Sequence, residues 1–156
     1  KSSAYHVMNH SLNWLRKQEN YIPDVVVLLQ STTPFRTGHH IDSVVSELIK
    51  SKADCVISIT NVEYPANWML IKNKNNKLNK LINDKDYSRR QDAPLYYKPS
   101  GMVYAYNLNF LLSLKGMLPQ GDTRGVFFDR EVSINIDSAL DYEIAKTLYQ
   151  KTLKKP

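Results

Sequence analysis

The stretch LLQSTTPFRTG, residues 28–38, joins an apolar run to a polar turn and then to a predicted helix. Residues 25–29, VVVLL, contain no polar side chain, which is expected of a central parallel strand buried on both faces. In an open α/β sheet, a ligand crevice opens at the carboxyl end of such a strand. The sequence therefore predicts an α/β fold in which Gln30 and the hydroxyls that follow it line a crevice.

A second junction of this kind lies in VSINID, residues 132–137, which runs directly into SALDYEIA. Apolar and polar residues alternate up to Asp137, as in a half-buried strand, and a helical pattern follows. Asp137 is therefore predicted to lie at a strand end and to face the same kind of crevice.

Size and composition indicate one domain. A chain of 156 residues with 42% hydrophobic residues can bury a single core. The sequence contains neither a window of about 18 apolar residues nor a secretory leader, so we expect a soluble, cytoplasmic protein. The single cysteine, Cys55, lies in an apolar run, where a buried thiol is expected.

The net charge of +6 favours anionic partners. Nucleic acid is one such partner, but the lysines concentrate at residues 72–85 and 151–155, and no basic module rich in aromatic residues is visible. Small anionic ligands are therefore favoured, and neither nucleic acid nor a membrane is expected as a partner. The four histidines lack the paired spacing of a zinc site.

The first half of the chain predicts alternating helices and strands. Ser2 or Ser3 is expected to cap a first helix, and Thr37 a second. The second helix separates strands predicted at residues 25–29 and 54–60. This β-α-β unit predicts parallel neighbouring strands.

The second half predicts shorter elements and a final helix. Short elements are expected at residues 102–106, 110–114 and 126–128. The last helix is expected to bury a stripe formed by Leu140, Ile144 and Leu148. A mostly parallel sheet flanked by helices is therefore expected within a single domain, residues 1–156.

An excursion at about residues 64–97 interrupts this alternation. The apolar runs 68–71 and 78–82 flank an Asn-rich turn, which predicts a hairpin. Its aromatic residues suit either an interface or a minor hydrophobic cluster within one monomer.

Four stretches, taken in order, resemble one enzyme family. They are LLQSTTPFR, SRRQDAP, PSGMVY and INIDSALD. The resemblance is to the acylneuraminate cytidylyltransferases, which couple CTP to sialic acid and related nonulosonic acids. It implies a Rossmann-like fold of the nucleotide-diphospho-sugar transferase type, transfer of CMP to an acidic nine-carbon sugar, and release of pyrophosphate. It also implies a homodimer in which the excursion is an arm that completes the partner's sugar site.

The resemblance covers the latter two-thirds of such a domain. Family members open with a strand and a phosphate-binding loop, whereas this sequence contains neither GxGxxG nor GxxxxGK[ST]. We therefore expect an N-terminally incomplete cytidylyltransferase domain.

The resemblance implies roles on the nucleotide side. Asp137 is expected to hold Mg²⁺ beside the CTP phosphates, with Asn135 as a weaker ligand where these enzymes commonly have a second Asp. Ser2 and Ser3 are expected to contact the cytidine. From the residues alone, a helix cap is the alternative for Asp137.

Roles on the sugar side follow in the same way. Arg90, next to Gln91, and Lys98 are expected to grip the sugar carboxylate, and Arg90 is expected to act with Asp137 in catalysis. Gln30 and Tyr104 are expected to contact the sugar. An exposed surface charge is the alternative for Arg90 and Lys98, a strand-end turn residue for Gln30, and core packing for Tyr104.

The resemblance also implies an apolar pocket. Met117 and Leu118 are expected to form it and to receive an N-acyl methyl group of the sugar.

Two alternative functions stay open. One is another sugar nucleotidyltransferase or a nucleotide-sugar glycosyltransferase, since these enzymes also place carboxylates at strand ends. The other is a non-catalytic dimerisation or binding module, which the missing phosphate loop and Asn135 favour.

Overall fold

Helices flank a four-stranded sheet in the computed structural model, which describes residues 3–83, 87–114 and 121–153. The helices are α1 (Ala4–Gln18), α2 (Gly38–Ser51), α3 (Leu108–Ser113) and α4 (Ala139–Leu153). The strands are β1 (Val25–Leu28), β2 (Cys55–Asn61), β3 (Leu70–Lys72), β4 (Leu78–Lys80), β5 (Tyr97–Asn107) and β6 (Thr123–Phe127). The α/β class predicted from the sequence is confirmed.

The sheet is mixed, which corrects the expectation of a mostly parallel one. Its strand order is β1-β5-β2-β6. Strand β5 pairs antiparallel with both β1 and β2, and among the described strands only β2 and β6 pair in parallel. The predicted β-α-β unit is present as β1-α2-β2, but its two strands are not neighbours, because β5 inserts between them. A mixed sheet with flanking helices is compatible with a Rossmann-like fold.

Strand β5 is the buried centre of the sheet. Its Tyr104 and Tyr106 pack with α1 and α3 on one face, whereas Val103 and Ala105 pack with α2 on the other. Successive side chains of a strand point to opposite faces, so β5 supplies both layers of the core. The prediction that residues 25–29 form the central strand is wrong, because β1 lies at the edge of the described sheet and is only half-buried.

Residues 132–137 do not form the predicted strand. The Ser133 N–H makes local turn contacts with the carbonyls of Asp129 and Arg130, and the Ile136 N–H donates to the Thr32 carbonyl, in the loop after β1, at 2.9 Å. An alternating pattern without a neighbouring strand cannot build a ladder. Asp137 therefore lies in the loop that leads into α4 rather than at a strand end.

Helix α4 does not bury the predicted stripe. Leu140 is 69% exposed and Ile144 is 44% exposed, while Ala145 is the buried side chain on this helix. Ile144 and Leu148 instead line a cleft beside the sheet. The apolar spacing predicts a core-facing stripe, but part of this stripe borders an open cleft.

The hairpin predicted within the excursion is confirmed. Strands β3 and β4 pair antiparallel, with Leu70 opposite Lys80. At the turn, Asn76 adopts a positive φ of 64°, which Asn tolerates better than most residues. All strand residues of the hairpin are exposed within the chain.

Among the described residues, no helix is both long and apolar enough to cross a membrane.

Candidate functional site

A cleft of about 670 Å³ lies between the loop after β1, strand β5 and the start of α4. It brings together five of the residues predicted for the site. These are Gln30, Lys98, Tyr104, Asn135 and Asp137. Although the strand assignment at residues 132–137 is wrong, the expected meeting of Gln30 and Asp137 in one cavity is observed.

Two hydrogen bonds to its backbone carbonyl fix the position of Gln30. The Gln30 carbonyl oxygen accepts a hydrogen bond from the Thr33 hydroxyl at 2.9 Å and one from Nη1 of Arg36 at 2.7 Å. The same Nη1 donates to the carbonyl of Met102, on β5, at 3.0 Å. Arg36 therefore fastens the loop after β1 to the central strand.

The side chain of Gln30 lies against the backbone of Gly101. A Cβ added to Gly101 would lie 2.6 Å from Oε1 of Gln30. Gly101 also has a positive φ of 82°, a conformation that glycine adopts readily. For Gln30 to occupy this position, residue 101 must therefore lack a Cβ and adopt a backbone conformation with positive φ.

A buried serine pair holds the bend beside Gly101. The Ser100 hydroxyl donates to the Ser58 hydroxyl at 2.7 Å, and the latter donates to the Val103 carbonyl at 3.0 Å. The β2–β5 register shifts at this place, between Ile57 and Ile59. The serine hydroxyls satisfy backbone groups near the irregular pairing, which would otherwise be costly to bury.

The carboxylate of Asp137 is held by Asn135, while the Asp137 backbone N–H donates to Oδ2 of Asp141 on helix α4 at 3.2 Å. The Asn135 amide nitrogen donates to Oδ2 of Asp137 at 2.5 Å, and the Thr32 hydroxyl donates to Oδ1 of Asn135. Helix α4 is capped by other residues. The Ser138 N–H donates to Oδ2 of Asp141 at 2.8 Å, and the Asp141 N–H donates to the Ser138 hydroxyl at 3.3 Å. These reciprocal bonds form a capping box, so the alternative role of Asp137 as the cap is wrong.

The charged lining of the cleft includes residues that the sequence did not single out. Arg130, Glu131 and Asp141 all border the cavity. Nη2 of Arg130 lies 3.5 Å from Oε2 of Glu63, and both side chains are largely exposed. Hydrogen bonds from Ser138, more than the nearby charge of Lys98, lower the pKa of Asp141. A single exposed charge leaves no periodic pattern in a sequence, so the sequence does not single out these residues. The available signal is the position of Arg130, just before the VSINID stretch.

The predicted residues Arg90 and Gln91 lie on the excursion, outside the cleft lining. Arg90 borders a separate pocket of about 100 Å³ with Tyr96 and Leu95. Within one chain, therefore, the structure does not bring Arg90 to Asp137.

The predicted cytidine contacts lie at the start of α1. Ser3 caps this helix, its Oγ accepting from the His6 N–H at 3.4 Å, and it does not line the cleft. Ser2, Met117 and Leu118 lie outside the described residues. The roles assigned to these residues stay predictions.

Two buried side chains of the sheet stay protonated at neutral pH, Cys55 on β2 and Tyr104 on β5. Burial, with a smaller effect of Asp54, raises the pKa of the Cys55 thiol to about 12. A thiolate nucleophile is therefore excluded, and the expectation of a buried cysteine is confirmed. Burial also raises the pKa of Tyr104, which lines the cleft, so its hydroxyl is available there as a hydrogen-bond donor.

No cluster of three or more His, Cys, Asp or Glu side chains able to hold a metal occurs in the part of the chain that the structure describes. Asp137 is the predicted carboxylate ligand. Mg²⁺ commonly takes one or two protein carboxylates and completes its shell with water and phosphate oxygens. The chemistry of this donor set fits an ion that arrives with a nucleotide, and does not fit an all-protein cage.

No protein-family model matches this chain. It is 28% identical over 153 residues to an N-acylneuraminate cytidylyltransferase of Escherichia coli O18:K1:H7, a match that covers 97% of this chain and 35% of that protein. Proteins of the same name from Streptococcus agalactiae serotypes III and V are 29% and 28% identical over 117 residues, covering 74% of this chain and 28% of each relative. The chain thus spans about a third of the length of these curated relatives. The expected resemblance is confirmed, and the chain is a sequence relative of the N-acylneuraminate cytidylyltransferases.

Proposed function

We propose that this chain carries the sugar side of a cytidylyltransferase that transfers CMP from CTP to a sialic-acid-like nonulosonic acid and releases pyrophosphate. The observation that carries the proposal is the shared cleft, in which Gln30 and Asp137 lie together with Lys98. The names of the relatives indicate the two substrates.

The charge of the cleft supports a divalent cation. Three carboxylates, Glu131, Asp137 and Asp141, border it against two basic side chains, Lys98 and Arg130. Both proposed substrates are anions, so carboxylates in excess would repel them. A bound Mg²⁺ would offset this repulsion, and it would neutralise the charge that develops on the α-phosphate and the leaving pyrophosphate. Asp137 is the residue that would hold it.

The other residues of the cleft bind and orient the sugar. The Lys98 ammonium pairs with the sugar carboxylate, and the Gln30 amide and Tyr104 hydroxyl hydrogen-bond the sugar. Held in this way, the anomeric hydroxyl attacks the α-phosphorus of CTP, the bond to pyrophosphate breaks, and the hydroxyl proton leaves to solvent. Catalysis by positioning and charge stabilisation is sufficient for such a transfer.

The excursion supports a homodimer. An isolated two-stranded hairpin is at best marginally stable in water, yet apolar side chains of this one are exposed. The exposed apolar residues of the excursion include Tyr64, Met69, Leu70, Ile71, Leu78, Leu81, Ile82, Leu95 and Tyr97. A second copy of the chain would cover them. Arg90 and Gln91 lie on the same excursion, so in such a dimer they would reach the sugar in the partner's cleft.

Pyrophosphate release from CTP and N-acetylneuraminate tests the proposal. We expect release by the wild-type protein extended at its N-terminus by a phosphate-binding segment, and a loss of at least about 100-fold in kcat/KM for Asp137→Ala in that protein, because the variant removes the carboxylate oxygen that would bind the metal. Thr147→Val is the matched control, since Thr147 lies on the exposed side of α4 and outside the cleft lining. Release without dependence on Asp137, or no release with any nonulosonic acid, would overturn the proposal.

A further inference from the structure

Asn135 lies between the loop after β1 and the proposed metal carboxylate. Its amide nitrogen donates to Asp137, and its oxygen accepts from the Thr32 hydroxyl. We propose that Asn135 is a positioning residue that orients Asp137 from the loop carrying Gln30, and that it is not a ligand of the metal. This inference rests on the proposed function, because it concerns the same site.

The hydrogen bonds determine which way the Asn135 amide points. An ionised carboxylate can only accept hydrogen bonds, so the atom of Asn135 that contacts Asp137 must be the NH₂ nitrogen. The amide oxygen lies on the other side of the side-chain carbon, where it meets the Thr32 hydroxyl. A cation at Asp137 would therefore meet the amide hydrogens of Asn135, which repel it, and not the amide oxygen.

Thr32 holds this arrangement at two points. Besides the hydroxyl contact to Asn135, its carbonyl accepts from the Ile136 N–H at 2.9 Å. The backbone and a side chain of the segment before α4 are thus attached to one residue. Thr32 lies two positions after Gln30, so the sugar-binding amide and the metal-binding carboxylate are placed relative to each other by the same short loop.

The arrangement favours one oxygen of Asp137 as the metal ligand. Oδ2 already accepts the hydrogen bond from Asn135, whereas no hydrogen bond to Oδ1 is found among the described residues. With the amide of Asn135 turned away, Oδ1 of Asp137 is the oxygen that we expect to bind the ion. Water and phosphate oxygens then fill the remaining positions of an octahedral ion. In this chain, Asn135 does not substitute weakly for an Asp; it supplies a hydrogen-bond donor that Asp cannot.

Titration calorimetry of Mn²⁺ into the CTP-loaded protein tests the inference. Partners that orient a metal ligand typically change metal affinity by about 10-fold or more. We expect Thr32→Val and Asn135→Ala each to weaken binding by about 10-fold, and the double variant to be no weaker than either, because both changes break the same chain of hydrogen bonds. Thr32→Ser keeps the hydroxyl and should restore affinity, while Thr147→Val is again the control.

The outcomes are distinguishable. If Asn135 is a ligand, Asn135→Ala will weaken Mn²⁺ binding while Thr32→Val leaves it unchanged, and the inference is wrong. If the wild-type protein binds neither Mn²⁺ nor CTP, the proposed function itself fails, and the inference fails with it.

A crystal structure of the wild-type protein with Mn²⁺ and CTP tests the role of Asn135 independently and needs no variant. We expect the ion at about 2.1 Å from Oδ1 of Asp137, with the Asn135 nitrogen still bonded to Oδ2. An Asn135 oxygen at the same distance from the ion would overturn the inference.

Discussion

Oε1 of Gln30 lies 2.6 Å from the point that a Cβ on Gly101 would occupy. Real side chains do not approach so closely, so the glycine is what allows the Gln30 amide to lie over strand β5. Gly101 thereby connects a backbone feature of the central strand to the position of a proposed sugar-binding group.

Gly101→Ala should displace Gln30 and weaken sugar binding. The new methyl group would clash with Oε1, and a positive φ is unfavourable for Ala by roughly 1–2 kcal/mol. We expect the KM for the sugar to rise at least about 10-fold and the thermal midpoint to fall. Steady-state kinetics and thermal unfolding measure these effects.

Gly38→Ala is the control for this change. No atom lies within 4 Å of its added Cβ, and the residue begins helix α2. This variant should keep the wild-type KM. An unchanged KM in Gly101→Ala as well would show that the position of Gln30 is irrelevant to sugar binding.

Arg36→Lys should loosen the loop after β1. Nη1 of Arg36 donates to the carbonyls of both Gln30 and Met102, and the shorter, more strongly hydrated lysine side chain does not place its ammonium at the position of Nη1. Hydrogen bonds to a charged group contribute about 1.5–3 kcal/mol, so we expect a clear loss in the free energy of unfolding. The KM for the sugar should rise more than kcat falls.

Denaturant unfolding and kinetics of Arg36→Lys separate the two effects. Arg16→Lys, on the exposed face of α1, should change neither. If Arg36→Lys were as stable as wild type, the loop would not depend on this side chain.

The cap of α4 should make stability depend on pH at the acid end. The folded-state pKa of Asp141 is lowered, first by the hydrogen bond from the Ser138 hydroxyl. A carboxyl whose pKa is lower when folded contributes stability above its unfolded pKa and loses it as pH falls through the folded pKa. The wild-type thermal midpoint should therefore fall more steeply below about pH 4 than that of Asp141→Asn. Parallel curves between pH 2 and 7 would contradict this role.

Leu70→Glu should dissociate the proposed homodimer. Leu70 is 55% exposed on strand β3, and a buried unpaired carboxylate is strongly unfavourable in an interface. Light scattering after size exclusion should show a dimer for wild type and a monomer for the variant. Leu112→Glu, which changes an exposed leucine on α3, is the control. A monomeric wild-type protein would contradict the proposal.

Local sequence signals predicted the elements that depend on short-range chemistry. The Ser3 cap, the Asn-rich hairpin turn and the apolar run from Cys55 all have local causes and are confirmed. The meeting of Gln30 and Asp137 in one cavity was also predicted, because both junctions carry polar residues after apolar ones.

The errors concern long-range pairing. An apolar run such as residues 25–28 is compatible with either a central or an edge strand. In the described sheet, β5 inserts between β1 and β2, and β1 therefore lies at the edge. Strand β5 was predicted from residue 102 onward, whereas it begins at Tyr97, because Pro99 and Gly101 interrupt the strand pattern. Residues 132–137 alternate like a strand, but in the described part of the chain no strand pairs with them. Pairing partners far apart in the sequence cannot be read from a single segment.

The most direct test of the central claim is a comparison of pyrophosphate release by wild type, Gln30→Ala and Asp137→Ala with CTP and N-acetylneuraminate. Because the two residues face one cleft in different roles, Gln30→Ala should raise the KM for the sugar while leaving the Mn²⁺ affinity of the CTP complex unchanged. Asp137→Ala should lower kcat and reduce the Mn²⁺ affinity of the CTP complex. Wild-type rates in both variants would contradict the account.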